Sequence, residues 1–241
     1  DGTDKYNQEI MKQLNTRLVT YGFDPSLDYS ARDIHFEKGN SRYCVLRGGA
    51  DMGEAALSIP GKQNVLNSLA VFAVGSEYGL DFQTIASALK TFVGARRRFS
   101  KVGEHEGIMV FDDYAHHPTE IRATLAAARS GWPGKRIICI FQPHRFSRTF
   151  LLKDLFASAF DDADLTIITD IYAAAELPIP GVSGQTISDL LPAERTVYIP
   201  RKELVPEYLA REVKEDDLVM TLGAGDIFTV GKELLSRLKM K

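Results

Sequence analysis

The sequence predicts an α/β protein whose longer part is a doubly wound, mostly parallel sheet, preceded by a shorter stretch of antiparallel strands and helices. Three observations carry this. After about residue 96, short apolar runs (GIMVF, RIICIF, DLTIIT, DLVMT) alternate with stretches of helical period, and strands joined by crossover helices make a parallel sheet covered on both faces. Before residue 96, apolar and polar residues alternate as in half-buried antiparallel strands. The composition, 44% hydrophobic and 25% charged over 241 residues, is that of a globular protein and excludes disorder, collagen and coiled coil.

In chain order, a helical pattern at 6–14 is followed by alternating segments at 28–36, 42–47 and 55–59, with Gly39-Asn40 as a hairpin turn. Pro60-Gly61 punctuates the chain. Over 64–78, Val65, Leu66, Leu69, Phe72 and Ala73 then recur on a helical period, which predicts a well-buried helix. Asp81 is placed to cap a second helix through Ile85, Leu89 and Phe92, and Gly94 stops it. The basic run Arg96-Arg97-Arg98 marks the change of pattern, so domains are expected at 1–95 and 96–241. Beyond it, strands are predicted at 107–111, 136–141, 164–169, 196–199 and 217–221. Helices fit at 119–129, 151–160, 187–191, 204–213 and 227–238.

Several classes are disfavoured. No run reaches the roughly 18 to 20 apolar residues of a membrane helix, and the first residues lack the basic-then-apolar pattern of a signal peptide, so a cytoplasmic location is expected. A net charge of −3 offers no global field for nucleic acid. Cys44 and Cys139 lie far apart without CxxC spacing or nearby histidines, which predicts buried free thiols and no metal or redox pair.

Ligands of open α/β sheets bind at the carboxyl ends of the strands, and there the polar residues gather. Four of five strand ends carry such loops: Asp112 to Pro118, Gln142 to Thr149, Asp170 to Glu176 and Gly223 to Asp226. Arg145 and Arg148, three apart at the start of a helix, can present two guanidinium forks with helix amides to a carboxylate or phosphate. His116 and His117 read equally as a cap for the helix beginning at Pro118; adjacent histidines without further ligands are a poor zinc site. The Gly223-Ala224-Gly225 turn is a weak dinucleotide signal, because Phe228 stands where a third glycine belongs. There is no P-loop, since five residues separate Gly225 from Gly231 and Glu233 follows Lys232. The run Arg96 to Arg98 reads either as a solvated surface or as one arginine turned into an interdomain cleft.

Taken together, GKQNVLNSLAVFAV, ARRRF, DDYAHHPTEIRATLAAAR, FQPHRFSRT, DIYAAAELPIPG and LVMTLGAGDI resemble, in order and spacing, the Mur ligase family of peptidoglycan synthesis, in the branch that joins L-alanine to UDP-N-acetylmuramate. The resemblance runs along essentially the whole chain but covers only the later part of that family. It implies a Rossmann-like ligase domain over 96–241, preceded over 1–95 by the C-terminal portion of a central ATP-binding domain. The UDP-binding domain and P-loop half would be missing, leaving a fragment that is inactive alone and whose partners are those N-terminal domains.

The implied reaction is ATP-dependent amide formation. ATP phosphorylates the lactyl carboxylate of UDP-N-acetylmuramate, and the L-alanine amine attacks the acyl phosphate. Magnesium is implied with ATP, its ligands mainly on the missing part. By the same resemblance Asn64 and Asn67 contact the adenine side of ATP, Arg98 reaches the nucleotide, and Asp113 binds ribose. Tyr114 and His116 line the phosphate side. His144, Arg145 and Arg148 hold the muramoyl substrate and the incoming amino acid, with Tyr172 and Glu176 contributing less. Gln63 stands where the family has a histidine. The alternatives are the tripeptide-recycling Mur ligase, which the Gln142 to Thr149 loop disfavours, and a nucleotide or amino-acid binding module without turnover.

Overall fold

Residues 1–240 are described by the computed structural model, in which the chain divides into two units: 1–93 with 130–132, and 94–129 with the residues from 133 onward. In the first unit Asp4 caps α1 (Lys5–Met11), its carboxylate accepting from the backbone N–H of Tyr6 and Asn7. A four-stranded sheet follows in the order β1 (Tyr21–Gly22), β2 (Tyr29–Glu37), β3 (Asn40–Arg47), β4 (Ala50–Leu57). β1 runs parallel to β2 and the other pairs are antiparallel.

Both hairpins turn on two residues of positive φ, Lys38-Gly39 (49° and 79°) and Gly48-Gly49 (55° and 80°), as turns matched to the strand twist require. The first lies one residue earlier than Gly39-Asn40. The second starts the last strand at Ala50 where 55 is expected; the Gly-Gly pair was its signal. On β3, Ser41, Tyr43 and Val45 are buried while Arg42 is exposed, so one face of the sheet is apolar. Two helices cover it: α2 (Lys62–Glu77) through Val65, Leu69 and Phe72, and α3 (Phe82–Thr91) through Ile85 and Leu89. The Asp81 carboxylate caps α3 by accepting from Thr84 N–H.

The second unit is a six-stranded sheet flanked by helices. In chain order its elements are β5 (Ser100–His105), β6 (Ile108–Asp113), α4 (Pro118–Gly131), β7 (Ile137–Phe141), α5 (Phe146–Phe156), β8 (Leu165–Ile168), α6 (Gln185–Ser188), β9 (Thr196–Tyr198), α7 (Val205–Glu212), β10 (Leu218–Leu222) and α8 (Phe228–Leu238). The strand order is β5-β6-β10-β7-β8-β9. All pairs are parallel except β5 with β6, which gives the doubly wound α/β class. β5 was not foreseen: SKVGEH has too few apolar residues to read as a strand, and it lies at the sheet edge, where one neighbour suffices.

Every residue of β6, β7, β8 and β10 is buried, the pattern of strands covered on both faces. On one face Val110, Ile138, Ile140, Ile167 and Val219 pack with Val205, Leu209, Val230 and Leu234 of α7 and α8. On the other, Phe141 meets Phe156 of α5 and Phe160. α5 begins at Phe146, five residues before the helix expected at 151, and α6 is a single turn. Cys139 is buried in β7 and Cys44 half-buried on β3; both are free thiols. Among the described residues no helix is long and apolar enough to cross a membrane.

Candidate functional site

The loops after β6, β7, β8 and β10 all emerge at the carboxyl edge of the second unit's sheet, and hydrogen bonds tie them together. Pairing continues beyond the strands, with Tyr172 N–H donating to Pro143 O (2.8 Å) and Arg145 N–H to Tyr172 O (2.9 Å). This sets the His144 and Tyr172 rings in a parallel stack, centroids 5.6 Å apart. The His116 ring lies 5.7 Å from His144, and Tyr114 stands edge-on to His116 at 5.4 Å. Four rings from three loops thus form one wall.

Tautomers follow from partners. Arg148 Nη1 lies 3.1 Å from His144 Nδ1; a guanidinium only donates, so Nδ1 accepts and the neutral ring carries its proton on Nε2. His116 Nδ1 lies 2.9 Å from the Tyr114 carbonyl and 3.4 Å from Glu120 Oε2, so Nδ1 carries a proton and donates to that carbonyl. Burial pushes the His144 pKa below the ordinary imidazole value, and the charges of Arg148, His116 and Arg145 push it further, against Glu176. His144 is therefore neutral at pH 7 and donates through Nε2.

The start of α5 is partly filled. Glu176 accepts from Ser147 N–H (3.0 Å) and Ser147 Oγ (2.6 Å), with Arg145 Nη1 at 3.9 Å. These bonds hold its carboxyl below the usual range. The helix amides expected to serve a ligand thus serve Glu176, while Arg148 forms no ion pair among the described residues and remains available to an external carboxylate. At the start of α4, Glu120 accepts from the backbone N–H of His116 (3.0 Å) and His117 (3.1 Å), and His117 Nδ1 accepts from Thr119 N–H. His117 is therefore a cap, and the loop presenting His116 is pinned at its base.

Asp112 and Asp113 are 4% and 5% exposed. Asp113 accepts from the N–H of Phe99 (2.9 Å) and Ala115 (2.8 Å) and from Thr124 Oγ1 (3.4 Å). Three of the roughly four acceptor positions of its carboxylate are taken, and burial raises its pKa despite those bonds. Its geometry is that of a post under the loop. Asp112 pairs with Arg97 Nε at 2.9 Å and accepts from Thr221 Oγ1 at 2.8 Å. The two terminal nitrogens of Arg97 donate to Gly225 O and Gly223 O. The glycine turn thus offers its carbonyls to an arginine and is no phosphate cradle. Arg98 is half exposed, 5.7 Å from the centre of the Tyr114 ring, with Glu120 at 3.6 Å.

Of the residues singled out from sequence, Arg98, Asp113, Tyr114, His116, His144, Arg145 and Arg148 lie together at this edge of the second unit. Asn64 and Asn67 lie in the first turns of α2 in the first unit. Asn64 Nδ2 donates to Pro60 O (2.6 Å) and Asn67 is exposed. Sequence reasoning missed the role of Arg97, because its two carbonyl partners are 126 and 128 residues away; the only signal was the triple arginine beside an Asp-Asp strand end. Among the described residues, no group of three or more histidine, cysteine, aspartate or glutamate side chains is placed to hold a metal ion, and the residues present do not form a magnesium site.

Residues 97–225 match the family model described as Mur ligase, glutamate ligase domain. Among curated relatives, the UDP-N-acetylmuramate–L-alanine ligases of Desulforamulus reducens and Geobacter sulfurreducens are each 44% identical over 99% and 98% of this chain and 52% of their own length. The crystal structure of a UDP-N-acetylmuramate–alanine ligase from Thermotoga maritima superposes with a TM-score of 0.76 at 30% identity, over 92% of this chain and 48% of that one. The chain spans about half the length of the curated relatives it matches. With the matched domain covering more than half of the chain, and the strand-end loops carrying the family's ordered motifs, this chain belongs to the Mur ligase family.

Proposed function

We propose that this chain is the carboxy-terminal half of a cytoplasmic ligase that joins L-alanine to UDP-N-acetylmuramate in peptidoglycan synthesis, driven by ATP through an acyl phosphate. The observation that carries the reading is Arg148. It is a half-buried guanidinium at the strand ends with no carboxylate partner among the described residues, held at the base of α5 beside a neutral His144, where an amino acid's carboxylate can be gripped. The names of the 44% identical relatives point to the same acceptor.

In this reading the chain supplies position and charge. Arg148 holds the alanine carboxylate and turns the amine toward the muramoyl carboxyl group. His144 donates through Nε2 to an oxygen of the activated carboxyl, and Arg145 balances the charge of the second anion. His116 lies on the phosphate side, next to Arg98 and Tyr114, while Asp113 supports the loop that presents them. Asn64 and Asn67 are assigned to adenine contact by the same reading, since an amide both donates and accepts. Domains are assigned as 1–95 for the last part of an ATP-binding domain and 96–241 for the ligase domain. Two anions and an amine must be assembled before a carboxylate, a poor electrophile, becomes reactive, a task to which Arg98, Arg145 and Arg148 at this edge are suited.

The test is phosphate release from ATP by the protein in its full reading frame, with UDP-N-acetylmuramate and either L-alanine, the tripeptide or no acceptor. Release that depends on L-alanine is expected. Dependence on the tripeptide moves the protein to the recycling branch, and no release from folded protein leaves a binding module.

A further inference from the structure

Arg98 is the arginine that reaches outward, yet among the described residues only a ring contact and a 3.6 Å approach to Glu120 hold its side chain. Its direction is set by its neighbours. Arg97 and Phe99, on either side, both adopt left-handed backbone (φ 59° and 47°), a conformation that non-glycine residues keep only where the surroundings impose it. Arg97 spends its guanidinium on Asp112 Oδ2 (2.9 Å), Gly225 O (3.0 Å) and Gly223 O (2.8 Å), between the rings of Tyr114 and Phe228 at 5.1 and 4.7 Å. Its carbonyl accepts from Tyr114 N–H (2.8 Å), and Phe99 N–H donates to Asp113.

We infer that Arg97 is a positioning residue of the nucleotide side of this site, clamping the 97–99 kink to the ends of β6 and β10 so that Arg98 faces an incoming phosphate or ribose. The inference rests on the ligase reading above and adds a residue that touches no substrate. The glycines that resemble a dinucleotide fingerprint belong to this clamp. A Cβ on Gly225 would stand 2.4 Å from Gln142 Oε1 and 2.7 Å from the Tyr172 ring, so glycine lets the turn lie flat where its carbonyls meet Arg97. Lysine cannot replace this arginine, because one ammonium cannot span three acceptors in a planar fork.

The experiment is a double-mutant cycle in the ligase, using Arg97→Lys, Arg98→Ala and the pair, read as KM for ATP, KM for L-alanine, kcat and ADP affinity, with denaturant unfolding as the check on folding. Arg97→Lys is expected to raise KM for ATP roughly tenfold while alanine KM and kcat stay within about twofold. In the Arg98→Ala background it is expected to add less than about twofold, because it acts through Arg98. Asp112→Asn, which loosens the clamp and leaves Arg97 in place, should give a smaller rise of the same kind and stands in if Arg97→Lys does not fold. Equal effects in both backgrounds, or equal rises in the two KM values, overturn the positioning role. A folded wild-type enzyme that neither turns over ATP nor binds ADP overturns the ligase reading itself, and this role with it.

Discussion

Arg148→Ala removes the cation that sits 3.1 Å from His144 Nδ1 and forms no ion pair among the described residues. Two effects follow. A charge-assisted hydrogen bond to a carboxylate contributes about 1.5 to 3 kcal/mol, and at about 1.4 kcal/mol per decade its loss should raise KM for L-alanine roughly ten- to 150-fold while KM for ATP stays near its wild-type value. The second effect has a sign fixed by electrostatics. His144 is depressed first by burial and then by the Arg148 charge, so without Arg148 its pKa rises toward the ordinary imidazole value.

A depressed histidine is supported in its neutral form above its folded pKa, and that support is lost as pH falls through it. In the variant the loss sets in at higher pH, so the acid limb of kcat/KM for alanine moves upward. Phosphate release measured against L-alanine concentration from pH 5 to 9 reads both effects. Arg148→Lys, which keeps the charge and loses the fork, should leave the acid limb in place. An unchanged alanine KM in Arg148→Ala, or an acid limb that stays where it is, refutes the assignment.

Other substitutions test the scaffold. Gly225→Ala forces a methyl group against Gln142 Oε1 and the Tyr172 ring and should cost about 1 to 3 kcal/mol as overpacking, read as a lower denaturant midpoint. Glu120→Gln should cost about 0.5 to 2 kcal/mol by weakening the start of α4. Burial raises the Glu120 pKa, but the N–H groups of His116 and His117 and nearby cations lower it more. Its contribution is therefore present at neutral pH and lost on acidification below the glutamate range, so the gap between wild type and variant must narrow as pH falls; a constant gap contradicts it. Phe72→Ala empties a fully buried site stacked on Phe82 at 5.3 Å and should cost about 3 to 5 kcal/mol, seen in the transition of the first unit.

The alternation of strand and helix after residue 96 was legible because a strand buried on both faces must be apolar throughout and a crossover helix must carry a stripe. These are local patterns with periods of two and 3.6 residues. The strand-end loops were legible for the same reason: once strands are placed, the polar residues after them have only one edge to occupy, and Arg98, Tyr114, His116, His144, Arg145 and Arg148 meet there. β5 was not legible, because an edge strand needs no apolar alternation, and the 50–54 part of β4 carries too few apolar residues to read as a strand, although Gly48-Gly49 marks its turn.

Only the tertiary structure decided which of three consecutive arginines is a clamp and which reaches out, because two of the three Arg97 acceptors are backbone carbonyls more than 120 residues away, and carbonyls leave no trace in a sequence. It also decided that Glu176, 29 residues from Ser147, takes the Ser147 amide at the start of α5, and that the Asp113 carboxylate accepts from Phe99, Ala115 and Thr124. The sequence alone determines what chemistry is available at the strand ends. How each charged group divides between holding the loops and meeting a ligand depends on distances between loops distant along the chain, which are set when the sheet assembles.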